Sequence, residues 1–112
     1  MSSIIRRSST MEPVPTRRRG IAERNLLTAG DSSYQHLVLI DAEYGSDVEL
    51  HSVETSESIF VLKGSFEVLL PDTTQIIGTG DLCYFLPKTV HGLRCIDGPG
   101  QFLAIFSPGK KQ

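Results

Sequence analysis

The sequence contains no tryptophan and only two cysteines, Cys83 and Cys95, among its 112 residues. The two cysteines do not have the C-x-x-C spacing, so the sequence indicates neither a disulfide framework nor a zinc knuckle. No apolar run approaches the roughly 20 residues that a membrane-spanning helix needs, and no membrane association is expected. These absences favour a cytoplasmic protein with reduced thiols.

The sequence also lacks any convincing helical segment of three turns. Instead, ten glycines and six prolines separate short apolar segments, which recur at intervals of roughly 8–12 residues from residue 34 onward. We expect residues 56–63 and 65–70 to form a hairpin with a tight turn at Lys63-Gly64, and residues 97–100 to form another turn. The pattern predicts an all-β protein of eight or nine strands, folded as a sandwich or a closed barrel.

Charge is distributed unevenly along a chain whose net charge is −2. Residues 1–24 contain six arginines and two glutamates, whereas the remainder contains five basic and eleven acidic residues. Residues 1–20 are poor in apolar side chains, so we expect a disordered basic arm, followed by a single β-barrel domain over residues 21–112. A basic arm can contact nucleic acid, an acidic partner or a neighbouring subunit. Nucleic acid is not expected as a partner, because no groove-reading helix or aromatic stacking motif accompanies the charge.

The segment from Gly45 to Gly64 combines a histidine with several carboxylates around a strand-like apolar run. In an extended strand His51 and Val53 point to one face, and after a short turn Glu57 lies on the inward face of the next strand. A histidine and a carboxylate can therefore meet inside one cavity.

The same segment resembles the first motif of the cupin family, G-x5-H-x-H-x3,4-E-x6-G. Gly45, His51, Glu57 and Gly64 occupy the required positions, whereas Val53 replaces the second histidine. The second cupin motif is G-x5-P-x-G-x2-H-x3-N, and Gly80 and His91 match its spacing. Pro87 is displaced by one position, Lys88-Thr89 stands where the inner glycine falls, and Cys95 replaces the final asparagine. The resemblance covers about residues 34–107.

Resemblance to the cupins implies a small jelly-roll β-barrel that holds one divalent metal ion in its interior. Carried over residue by residue, the implied metal ligands are His51, Glu57 and His91, since the Val53 side chain has no lone pair. Two histidines and one carboxylate accept Fe, Mn, Ni, Co or Zn. A water molecule or His36 would complete the set.

Three functional interpretations follow. In the first, the protein is a metal-binding barrel that binds or converts a small polar molecule, with dioxygenase, isomerase or lyase activity if it is an enzyme. In the second, the metal site is lost, and the barrel is a metal-free ligand-binding or sensor protein without catalysis. The third assigns the histidines a purely structural role. A homodimer is expected, because exposed edge strands in such small barrels are commonly paired with a second copy.

Strand alternation also predicts the direction of several other side chains. Glu49 has the parity of His51 and would face the cavity or solvent, and Cys95 has the parity of His91 and would line the pocket or the core. Arg94 has the opposite parity and should point away from the barrel interior.

Overall fold

A computed structural model describes residues 2–108 of the chain. In this range the protein is built of strands, with one 3-10 turn at Ser8–Thr10 and no α-helix. Nor does this range contain a helix long and apolar enough to cross a membrane. The prediction of an all-β protein is confirmed. The strands are β1 (Val14–Pro15), β2 (Ile21–Leu27), β3 (His36–Ala42), β4 (Asp47–His51), β5 (Ser56–Leu69), β6 (Thr74–Gly78), β7 (Leu82–Phe85) and β8 (His91–Ser107).

The described strands form one antiparallel sheet in the order β1-β2-β3-β8-β5-β6, with β4 paired to β8 and β7 paired to β5. β5 and β8 are the longest strands, and they pair from Ser56 opposite Ser107 to Leu69 opposite Gly92. Each therefore contributes to both halves of the barrel. The result is the jelly-roll barrel that the motif resemblance implies.

The two expected turns at Lys63-Gly64 and at residues 97–100 are not turns, and this part of the prediction is wrong. β5 continues through Gly64, and β8 continues through residues 97–100. The register between the two strands shifts around Lys63, where both strands bend. Gly64 has a φ of 81°, and a Cβ atom there would collide with the carbonyl oxygen of Asp97. The glycine therefore marks a barrel corner, where two backbones approach closely.

Inward-facing side chains of the long strands form the core. Phe66 and Phe102 meet edge to face, with their ring centroids 5.2 Å apart. Cys95 is buried in the same cluster, and burial raises the pKa of its thiol. It behaves as a small apolar residue and does not line the pocket described below. Other core residues include Val38, Ile40, Ile59, Val61, Val68, Phe85, Leu93, Ala104 and Phe106.

Residues 2–20 are more ordered than the sequence predicts for a free arm. β1 pairs with β2, and the Arg6 guanidinium lies 2.7 Å from the Asp31 carboxylate. Farther along, Arg17 and Arg18 both contact Glu49. The basic arm thus pairs with acidic groups of the chain's own barrel. These contacts join the basic and acidic parts of the chain that the sequence shows. The division into an arm of residues 1–20 and a domain of residues 21–112 stays a prediction.

Candidate metal centre

Three strands bring His51, Glu57 and His91 together inside the barrel. His51 is the last residue of β4, and it lies opposite His91, the first residue of β8. Glu57, near the start of β5, faces the same space. One ligand atom from each of the three residues lies within 4.8 Å of the other two. The three residues that the motif spacing singles out therefore form one cluster.

Both histidines are oriented by the same local hydrogen bond. The Nδ1–H of His51 donates to the carbonyl oxygen of Glu49 at 2.9 Å, and that of His91 donates to the carbonyl oxygen of Thr89 at 2.8 Å. In each case the acceptor lies two residues earlier in the chain. Because Nδ1 carries the proton, Nε2 is the nitrogen left to bind a metal.

Phe85 fixes the plane of the His91 ring. The two rings are stacked, with centroids 3.9 Å apart and an interplanar angle of 10°. The role of Phe85 depends on the pairing of β7 with β5, which places this residue opposite Glu57. A local sequence pattern does not contain that register.

His91 and Glu57 form a buried ion pair in the metal-free arrangement. His91 Nε2 lies 2.9 Å from Glu57 Oε1, and the two residues are only 1% and 7% exposed. A carbonyl and an ionised carboxylate only accept hydrogen bonds, so beside ionised Glu57 His91 donates from both nitrogens as an imidazolium. Burial opposes its charge, but the hydrogen bonds to Glu57 and Thr89 outweigh burial and raise the pKa of His91.

The three side chains fit a divalent transition metal. Metal bonds of about 2.0–2.2 Å to imidazole and carboxylate place neighbouring donor atoms roughly 3–4 Å apart. The ligand atoms lie within 4.8 Å of one another, so small side-chain rotations would bring them to bonding distance. Two imidazoles and one carboxylate suit Fe(II), Mn, Co, Ni or Zn. Val53 lines the same cavity without offering a donor, which leaves coordination positions open.

His36 does not complete the ligand set. It lines the cavity, but its Nε2 lies 3.0 Å from Asn25 Oδ1, and it is not among the clustered ligand atoms. Glu49 points to the surface and pairs with arginines of the arm. Arg94 is exposed beside Glu67, as predicted from its parity.

The cavity around the cluster has a volume of about 260 Å³. Glu23 and Asn25 of β2 line one wall of the cavity, and Thr16 and Arg18 of the arm also line the cavity. None of these four was identified from the sequence. The alternation of Ile21, Glu23 and Asn25 could have indicated the two wall residues, because all three share the inner face of β2. A more open cavity of about 660 Å³ lies between the arm and the barrel, away from the three clustered ligands, and Arg18 also borders it.

Fold and site together define a jelly-roll barrel with a two-histidine, one-carboxylate cluster in its interior. The family model described as "Cupin domain" matches residues 36–106, and the chain therefore belongs to the cupins.

Solved structures share the fold. An RmlC-like cupin from Shewanella frigidimarina NCIMB 400 aligns with a TM-score of 0.84 at 22% identity, covering 98% of this chain and 95% of that one. The polyketide cyclase RemF from Streptomyces resistomycificus aligns at 0.84 and 21% identity, covering 100% and 83%. KdgF from Halomonas sp. aligns at 0.80 and 20% identity, covering 91% and 92%. At these identities the likeness concerns the fold alone. No curated protein matched the sequence.

Proposed function

We propose that the protein binds one divalent transition metal through His51, Glu57 and His91, and that it binds or converts a small polar molecule beside the metal. The observation that carries the proposal is the shared orientation of the two histidines. Each donates Nδ1–H to a carbonyl two residues earlier, so both Nε2 atoms can bind one ion once His91 releases its Nε2 proton. A hydrogen bond from Nδ1–H to a backbone carbonyl typically raises the basicity of a metal-binding histidine and fixes its ring.

The residues around the ion would control its access and charge. When bound, the metal supplies a Lewis acid or redox centre, which dioxygenases, isomerases and lyases all use. Glu57 would neutralise one of the two positive charges, and the stacked Phe85 would hold the His91 ring in place. Val53 keeps one side of the cavity apolar and free of a fourth ligand, leaving room for a small molecule.

A metal-free binding protein is the second candidate, and the Glu57–His91 pair supports it. Their hydrogen bond of 2.9 Å satisfies both groups without an ion. In that state His91 can offer a bound polar molecule a hydrogen-bond donor, and Glu57 can offer it an acceptor. This function needs the cavity but no coordination chemistry.

Metal analysis separates the two candidates. The full chain is purified without chelators, incubated anaerobically with Fe(II), Mn(II), Ni(II), Co(II) or Zn(II), desalted and measured by atomic emission. We expect about one metal ion per chain in the wild type and little in His91→Ala. His36→Gln is the matched control, because His36 lines the same cavity outside the cluster. Absence of stoichiometric metal in the wild type under all five conditions would refute the metal function.

We also propose that the protein is a homodimer, formed through an exposed apolar face on β5 and β7. Leu82, Tyr84 and Leu86 are 63%, 56% and 65% exposed, and Phe60 lies opposite Leu82 on the neighbouring strand. A contiguous apolar patch of this kind marks protein interfaces. Leu82→Lys should give a monomer in sedimentation velocity experiments, whereas Ile76→Lys, an equally exposed position on β6, should leave the dimer intact. A monomeric wild type would contradict the proposal.

A cytoplasmic location is proposed on the state of the two cysteines. Cys83 and Cys95 are both unpaired, and burial raises the pKa of each thiol, which disfavours the reactive thiolate. Free thiols suit a reducing compartment. Recovery of the protein with an extracellular or periplasmic fraction would contradict this location.

A further inference from the structure

Arg18 is the one arginine or lysine that lines the cavity of the metal cluster among the described residues. We propose that this cavity takes a small hydroxycarboxylate, whose carboxylate group binds Arg18 and whose hydroxyl groups bind Glu23 and Asn25 on the wall of β2. The inference rests on the function proposed above, since it names the class of small molecule that would occupy the space beside the metal.

A tight loop holds Arg18 in place before any ligand arrives. Thr16 Oγ1 donates to the carbonyl oxygen of Ile21 at 2.8 Å and accepts from the backbone N–H of Arg18 at 3.1 Å. The backbone N–H of Ile21 in turn donates to the carbonyl oxygen of Arg18 at 3.2 Å. The Arg18 side chain is 23% exposed. The hydrogen bonds of Thr16 and Ile21 therefore fix the Arg18 backbone at the cavity, and ligand binding would cost little conformational entropy there.

The guanidinium of Arg18 has hydrogen-bond donors that no other described residue accepts. Nε and Nη2 contact the Glu49 carboxylate at 3.3 and 3.2 Å, whereas Nη1 has no hydrogen bond to any other described residue. Both contacts are longer than the 2.7–2.9 Å typical of strong charge-assisted hydrogen bonds. Arg17 approaches the same carboxylate at 3.4 Å, so two guanidinium groups share one negative charge. Of these three charged residues only Arg18 lines the cavity, so the positive charge that faces the cavity favours an anion.

The β2 wall of the cavity favours hydroxyl groups over a second anionic group. Glu23 offers a carboxylate that makes no ion pair in the described part of the chain, and Asn25 offers an amide already in contact with His36. A carboxylate repels another anion but accepts from a hydroxyl. Ammonium groups are disfavoured, because a divalent ion with one Glu57 carboxylate retains a positive charge. The volume of about 260 Å³ equals that of roughly eight or nine water molecules, which suits a compact ligand.

Three small probes of similar size test the carboxylate contact and the hydroxyl contacts separately. Glycerate carries a carboxylate and hydroxyls, glycerol carries only hydroxyls, and propionate carries only a carboxylate. Each is titrated calorimetrically into the metal-loaded full-length protein. Glycerate should bind more tightly than either of the others. Equal or weaker binding of glycerate relative to glycerol or propionate would overturn the proposal.

Arg17 provides a matched control for Arg18, because both contact Glu49 but only Arg18 lines the cavity. Arg18→Gln should weaken glycerate binding roughly tenfold or more, the usual effect of losing a hydrogen bond to a charged group. Arg17→Gln should change it little, and glycerol binding should be the same in both variants. Glu49→Gln should strengthen glycerate binding severalfold, since it removes the competing carboxylate. The Glu49 contact to His51 uses a backbone oxygen and is retained.

Metal analysis of the same preparations keeps the two proposals distinguishable. If the wild type binds no metal, the proposed metal function fails. If metal binds normally in all variants but Arg18→Gln and Arg17→Gln have the same affinity for glycerate, this inference fails alone. Loss of metal from Arg18→Gln would also count against it, because Arg18 is assigned to the ligand and not to the metal cluster.

Discussion

Replacing Glu57 with glutamine should lower the unfolding free energy of the metal-free protein at low pH. At high pH the replacement should no longer destabilise the protein. The change preserves the size of the side chain and its acceptor oxygen, but it removes the charge that faces His91 Nε2 at 2.9 Å. Because His91 is 1% exposed, water cannot replace the lost partner. The imidazolium of His91 is then buried without its counter-ion.

The expected magnitude at about pH 6 is roughly 2–3 kcal/mol of unfolding free energy. Removing one partner of a buried ion pair typically costs 3–5 kcal/mol, and the amide oxygen of glutamine still accepts a hydrogen bond from Nε2–H. Although burial opposes the charge on His91, its hydrogen bonds to Glu57 and Thr89 raise its pKa above 6.5. The stabilisation by the pair is therefore fully present below pH 6.5 and is lost as the pH rises through the raised pKa.

Above that pKa, Glu57→Gln should be more stable than the wild type. Neutral His91 keeps the Nδ1 proton that it donates to Thr89, so its Nε2 lone pair faces the carboxylate of Glu57, and two acceptors oppose each other. The amide group of glutamine can instead donate to Nε2. We expect the cost of Glu57→Gln to fall as the pH rises from about 6.5 through the raised pKa of His91, and then to change sign.

Urea denaturation in the presence of a chelator measures this directly. Unfolding free energies of the wild type and Glu57→Gln are compared at several pH values. Glu67→Gln is the control, because Glu67 pairs with Arg94 at the surface and its loss should cost about 0–1 kcal/mol at every pH. If the cost of Glu57→Gln is independent of pH, His91 is not the imidazolium that the two hydrogen bonds require.

Three further substitutions, with Gly45→Ala as a comparison for one of them, address the positions where the chain departs from the motif or bends. Val53→His should tighten metal binding at least tenfold in competition with a chelator, because it adds a fourth donor to the cavity wall; unchanged affinity would show that the side chain does not reach the ion. Lys88 has a φ of 67°, so Lys88→Gly should stabilise the protein by about 0.5–1 kcal/mol in thermal unfolding. This figure is the left-handed strain that glycine relieves minus the conformational entropy that glycine loses on folding. A lower melting temperature would contradict it. Gly64→Ala should cost more than about 2 kcal/mol, because strain and the collision with Asp97 add, whereas Gly45→Ala, with a similar φ and open space, should cost only about 1–2 kcal/mol. Equal costs at the two glycines would remove the collision from the explanation.

The Gly45–Gly64 segment shows what the sequence could and could not predict about the fold. Strand alternation and motif spacing correctly placed His51 and Glu57 in one cavity, because both depend on geometry within a few residues. The same glycine at position 64 was interpreted as a hairpin turn, although β5 continues through it. A positive φ satisfies a tight turn and a barrel corner equally well. Only the pairing of β5 with β8, more than 30 residues away, distinguishes a barrel corner from a tight turn at this position.

The cavity divides into a part encoded locally and a part supplied by distant residues. The proposed metal ligands follow from two short motifs, whereas Arg18 is held at the cavity by the loop of Thr16 and Ile21, which lies outside both motifs. Separate sequence origins allow the two parts to change independently. Substitutions in residues 16–18 should therefore alter which small molecule binds while leaving metal content unchanged, and substitutions at His51 or His91 should remove the metal. On these proposals, such a barrel would keep its metal ligands while changes in residues 16–18 alter which small molecule binds.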